Sequence, residues 1–114
     1  MSQICEGNTK TFTAGEDLEA FRRVKFSAGT VIYSDAGEVW IGITQQKVSS
    51  GEHVSIKLRT GAGTQKVVAA TTFAIGAVLY GAADGKVDDV VLGQVFGTAL
   101  EAATAAGDII EAIQ

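Results

Sequence analysis

Residues 28–58, AGTVIYSDAGEVWIGITQQKVSSGEHVSIKL, lay down a pattern that the second half of the chain repeats. Gly29-x-Val31-x-Tyr33 followed by Gly37-x-Val39 matches Gly76-x-Val78-x-Tyr80 followed by Gly85-x-Val87. Downstream, Gly42 precedes Gly51-Glu52-x-Val54-x-Ile56, as Gly97 precedes Gly107-Asp108-x-Ile110-x-Ala112. An internal repeat constrains architecture more than any single motif. Two copies are too few for a solenoid. The pattern therefore predicts a duplicated unit inside one small domain, which 114 residues can hold.

The local signals are those of strands. With 14 glycines and no proline, glycine performs the turns and every backbone N–H is free to join a ladder. Residues 30–34 are rich in β-branched and aromatic side chains. Asp35-Ala36-Gly37 turns the chain, and residues 39–44 return, which reads as a hairpin. In that second strand Val39, Ile41 and Ile43 share a face and Trp40 points the other way. Residues 53–59 alternate cleanly, with Val54, Ile56 and Leu58 inward and His53, Ser55, Lys57 and Arg59 outward.

A strand is expected at 21–26, with Ala20, Val24 and Phe26 on one face and Phe21, Arg23 and Lys25 on the other. Further strands are expected at 67–70, 77–80, 91–100 and 108–113, with a turn at Asp84-Gly85. Residues 71–75 and 101–105 have room for a helical turn each. The predicted class is all-β: a small β-sandwich or barrel with an internally duplicated module and at most one or two short helical turns. Residues 1–12 read as an N-terminal arm and 13–114 as a single β domain. Whether the arm is disordered alone or completes the sheet as an edge strand is open at this stage.

The raw material for catalysis is thin. His53 is the sole histidine and lies on a polar strand face, while Cys5, the sole cysteine, sits in the arm. One of each cannot build a zinc site, and no disulfide is available within the chain. Asp84, Asp88 and Asp89 lack the alternating pattern of a calcium loop, and Asp84-Gly85 is accounted for as a turn. Gly61-x-Gly63 carries no phosphate-loop signature. No enzyme, cofactor or metal is expected. The net charge is −4, and beyond residue 60 only Lys66 and Lys86 oppose six acids. That balance disfavours nucleic acid as partner. No run is long enough to span a membrane.

Segments TAGEDL at 13–18, FRRVK at 21–25, VLYGAADGKV at 78–87 and GTALEAATAAGDIIE at 97–111 resemble the small phage head decoration, or capsid cement, proteins. The resemblance runs from Thr11 onward. It implies an all-β protein, often trimeric, that binds the outside of an assembled capsid without catalysis. Its partners would be the major capsid protein and further copies of itself, and its place the virion exterior after synthesis in the bacterial cytoplasm. A non-catalytic carbohydrate-binding module is the alternative, with Trp40, Tyr33 and Tyr80 as a stacking platform.

Contact residues follow from the repeat. Lys57 corresponds to Ile113 and His53 to Ile109, so a face that is polar in one copy is apolar in the other. Ile109 and Ile113 are candidate oligomer or capsid contacts, with Trp40 as an anchor. Ile4 and Phe12, the sizeable apolar residues of the arm, are further candidates.

Overall fold

Ten strands run through the residues described by the computed structural model, 9–60 and 63–114. The first five are β1 (Thr9–Thr13), β2 (Arg23–Ser27), β3 (Thr30–Tyr33), β4 (Gly42–Thr44) and β5 (His53–Leu58). The second five are β6 (Gln65–Val68), β7 (Val78–Gly81), β8 (Val87–Asp88), β9 (Val95–Ala99) and β10 (Ile109–Ile113). A 3-10 turn at Ala83–Gly85 is the helical element among the described residues. The class is all-β, as the strand signals require.

Each set of five forms its own antiparallel sheet, and the strand orders match. The first is β1-β5-β4-β2-β3 and the second β6-β10-β9-β7-β8. Each sheet curls until its outer strands meet. Ala14, just beyond β1, makes a parallel bridge to Val31 of β3, and Ala69 does the same with Val87 of β8. The molecule is thus two small, partly closed barrels joined in tandem.

Their cores are superimposable in sequence. Ala14, Leu18, Val24, Val31, Val48, Val54 and Ile56 fill the first. Ala69, Phe73, Leu79, Val87, Ala103, Ile110 and Ala112 occupy the equivalent places in the second. Cross-chain bridges pair Leu18 with Val48 and Phe73 with Ala103, so a larger ring in the second barrel faces a smaller partner. Larger residues at Phe73, Leu79 and Ile110 partly offset the smaller Ala103 and Ala112, the kind of exchange that cores tolerate best.

This register corrects part of the repeat. Gly42/Gly97 and Gly51/Gly107 are true counterparts, but Gly29 and Gly76 are not. Val31 pairs with Phe26 and Val87 with Gly81, which makes Gly29 the counterpart of Gly85. The hairpin also moves. β3 pairs with β2 across Ala28-Gly29, both at positive φ, and β4 pairs with β2 and β5 rather than with β3. Positive φ at both central residues gives the turn whose twist suits a two-residue hairpin. Asp84-Gly85 repeats it with φ of 56° and 73°.

Arg23 departs furthest from the sequence reading. The strand pattern put it on the face opposite Val24, beside Lys25, yet it is 1% exposed. β2 is covered on both sides, by the first core through Val24 and by the second barrel through Arg23. The guanidinium donates to the carbonyls of Ser34 (3.0 Å), Ala82 (2.7 Å) and Lys86 (3.1 Å), and to the Ser34 hydroxyl. Burial pushes its pKa down to about 10 against the pull of Asp35, Asp88 and Glu38, so it stays charged at neutral pH. Room for it exists because residue 81 is glycine; a Cβ there would stand 2.6 Å from Nη1. Arg22 adds a bond to the Asp84 carbonyl, and Val68 N–H one to the Phe21 carbonyl.

β1 is an edge strand along β5, and residues 1–8 lie outside the described residues. No helical turn forms at 71–75 or 101–105; both segments are held by the Phe73–Ala103 bridge. Asp108 closes the second of these loops by accepting from Thr104 N–H, Thr104 Oγ1 and Ala105 N–H.

Three stability predictions follow from these contacts. Arg23→Ala leaves buried carbonyls without donors and should cost about 3–5 kcal/mol in denaturant unfolding. Gly29→Ala and Gly85→Ala both place an alanine at positive φ, a cost of about 1–2 kcal/mol each. At Gly85 the new Cβ also lies 2.5 Å from the Arg23 carbonyl oxygen, whereas nothing lies within 4 Å at Gly29. Gly85→Ala should therefore be the more destabilising by about 1–3 kcal/mol. The hydrogen bonds to Asp108, first the Thr104 N–H, hold its carboxyl below the ordinary carboxylate value. A depressed pKa gives stability that is present above the unfolded value and lost as pH falls through the folded one. Asp108→Ala should be less stable than the parent at pH 7, with the difference closing at pH 2.

Candidate functional site

The described residues carry no concentration of reactive groups. His53 is exposed on β5 opposite Thr13, and no group of three His, Cys, Asp or Glu side chains is placed to hold a metal among them. Cys5, Ile4 and Gly61 fall outside the described residues. No helix is long and apolar enough to cross a membrane among the described residues. What the surface does offer is apolar area, in two places.

The first is a loop between β8 and β9. Val90, Val91 and Leu92 are consecutive and all exposed, Val91 at 75%. The sequence reading had run a strand through Val91 and Leu92, but β9 begins only at Val95. The loop meets its own counterpart: a Cβ on Gly37 would lie 3.3 Å from Leu92 Cγ, and one on Gly93 would lie 3.0 Å from Gly37 Cα. Exposed Val39 belongs to the same region. A shallow depression beside it is lined by Phe26, Gly37, Val39 and Ile41, with the Lys25–Glu38 ion pair at its rim.

The second is the outer face of the C-terminal barrel. Register sets Val78 beside Thr98 and Thr98 beside Ile113, one row across β7, β9 and β10. Val78 is 47% exposed and Ile113 45%. Ile109, on the same strand as Ile113, is exposed as well. Both isoleucines named from the repeat therefore lie on the surface.

Trp40 does not join them. It is 7% exposed and packs its ring 4.9 Å from Phe96, on the seam where the first barrel meets the core of the second. The strand expected at 39–44 begins only at Gly42, so alternation does not reach back to Val39 and Trp40. Tyr33 is half-buried, with its hydroxyl accepting from Glu19 N–H and its ring under Arg22. A stacking platform built from Trp40 and Tyr33 is thus not presented to solvent. Phe12 is half-buried on the edge strand and meets Phe26 edge to face at 5.4 Å. Phe26, 56% exposed, is an apolar surface residue that sequence reasoning missed. Strand parity gave no signal for it, because it placed Phe26 on the same face as the buried Val24.

No curated protein matches the chain. Among solved structures, the N base of head fiber gp8.5 in bacteriophage phi29 shares the fold, with a TM-score of 0.78 over 91% of this chain and 90% of that chain, at 19% identity. The family model for phage cement proteins matches residues 4–113. With that match spanning nearly the whole sequence, and two barrels whose outward chemistry is apolar surface, the chain belongs to the phage cement protein family.

Proposed function

We propose that the protein is a non-catalytic adhesive that binds the outer surface of an assembled phage capsid and stiffens it, acting as a homotrimer against the major capsid protein. Membership of the cement family across residues 4–113 carries this reading. The exposed aliphatic surface supports it, since contiguous apolar area on a small protein marks a contact. The loop at Val90, Val91 and Leu92 is the shell-facing element. Ile109, Ile113 and Phe12 serve contacts to the shell or to other copies. Trp40 stiffens the seam behind them, and Ile4 extends the contact from the N-terminus.

Adhesion here comes from repetition. Each copy presents a modest interface, and linked copies raise the effective concentration of the next contact. An oligomer with rotational symmetry matches a symmetry axis of a shell. The acidic C-terminal half faces away from packaged nucleic acid. Synthesis is in the bacterial cytoplasm, and the finished site is the virion exterior. The carbohydrate-binding alternative has no comparable support, because its central ring, Trp40, is buried.

Purified protein added to mature capsids that lack it should bind them and raise the temperature at which they open. Labelled antibody should reach it on intact particles. Antibody access only after the shell is broken would overturn the exterior placement. Val91→Asp should leave the melting temperature of the free protein within about 2 °C, since surface changes stay near ±0.5 kcal/mol, while weakening capsid binding at least tenfold.

A further inference from the structure

The junction between the two barrels is one-sided. The N-terminal barrel presents the row Arg23, Ile43 and Lys57, adjacent across β2, β4 and β5. Arg23 and Ile43 are fully buried there, and Lys57 Nζ donates to the Thr64 carbonyl. The C-terminal barrel receives the row with Gly81, Gly85 and the carbonyls of Ala82 and Lys86. A two-fold relation would put the same contacts on both sides. It is absent: Gly85 is pressed against Arg23, while its counterpart Gly29 has nothing within 4 Å of an added Cβ. The contact is heterologous, of the kind that can be continued by further copies.

Both halves of that junction recur at exposed positions among the described residues. The counterpart of the row Arg23, Ile43 and Lys57 is Val78, Thr98 and Ile113, which is the exposed row of the C-terminal barrel. The counterpart of Gly81 is Phe26, since each pairs with the equivalent valine, and Phe26 is exposed on the N-terminal barrel beside open Gly29. The sizes are exchanged. Inside the chain a long Arg23 meets a bare Gly81. At the free ends a short Val78 replaces the arginine and a large Phe26 replaces the glycine. The charge is lost as well, because Lys57 is replaced by Ile113.

We propose that a second copy of this chain docks head to tail, laying its Phe12 and Phe26 face on the row Val78, Thr98 and Ile113, and so repeats between chains the junction that exists within one. The inference rests on the homo-oligomer reading above and specifies its interface. Contact between the counterparts Gly37 and Gly93 fits the same geometry. A segment that touches its own equivalent lies near the axis relating the two.

The test uses the full chain with Cys5→Ser, so that introduced thiols are the only ones. Val78→Cys and Phe26→Cys variants are made separately, mixed, and treated with a short bis-maleimide. Cross-linked dimers containing one of each variant are expected, with few formed by either variant alone. Val78→Cys linking mainly to itself would overturn the head-to-tail contact in favour of a two-fold one. Val78→Lys and Phe26→Lys should each lower the mass by light scattering toward that of one chain, with circular dichroism unchanged, because both sites are exposed. A parent protein that is a monomer yet still coats capsids would overturn this inference and leave the adhesive function standing. A parent that cross-links as expected but ignores capsids would do the reverse.

Discussion

A guanidinium taken out of water has five N–H groups to satisfy and a charge to accommodate, and the arrangement around Arg23 answers to those needs. Carbonyls of Ser34, Ala82 and Lys86 accept from it, and they come from two different barrels. Neither barrel alone can meet the requirement. The turn at Ala83–Gly85, the glycine at 81 and the Ser34 hydroxyl all take their positions from it. A buried charge of this sort is a poor source of stability in itself, since desolvation offsets most of its attraction. Its effect is on specificity: displacement of the second barrel would leave the charge or its acceptors without partners.

Duplication explains why the rest of the structure is economical in design. Seven core positions recur at equivalent strand and bridge positions, with Leu18 and Val48 exchanged for Phe73 and Ala103 and Ile56 for Ala112. The surfaces have diverged far more. Arg23 against Val78, Phe26 against Gly81 and Lys57 against Ile113 are the exchanges that decide which faces are closed within the chain and which are left open. The cores hold two similar barrels; the outward residues make them unequal.

Much of the strand pattern was legible. The alternation through β5 placed Val54 and Ile56 inward, Asp84-Gly85 marked a turn, and the glycines at 42, 51, 97 and 107 gave the correct spacing. The failures have physical causes. A period of two identifies alternate faces but not which face is covered, so a strand packed on both sides, as β2 is, hides a buried arginine. Gly29-x-Val31-x-Tyr33 and Gly76-x-Val78-x-Tyr80 look alike because glycine before a β-branched strand is common, and the resemblance set the first part of the repeat out of register. Ala28 at positive φ carries no signal in its side chain. Of the exposed apolar residues proposed as contacts, Ile109 and Ile113 came from comparing copies; Phe26 and Val78 required the true register.

The core of the N-terminal barrel is built from its own residues alone, while the cluster in the C-terminal barrel includes Trp40 and Ile43 from the first. The dependence runs one way, and it gives assembly of the chain a direction. As the polypeptide leaves the ribosome, the first barrel has every core side chain it needs once residue 58 has emerged. The second must wait for a finished surface to form against. A finished N-terminal unit leaves Trp40 and Ile43 as an apolar surface on which the later strands collect. Such an order limits the time in which unpaired strand edges of neighbouring chains can meet.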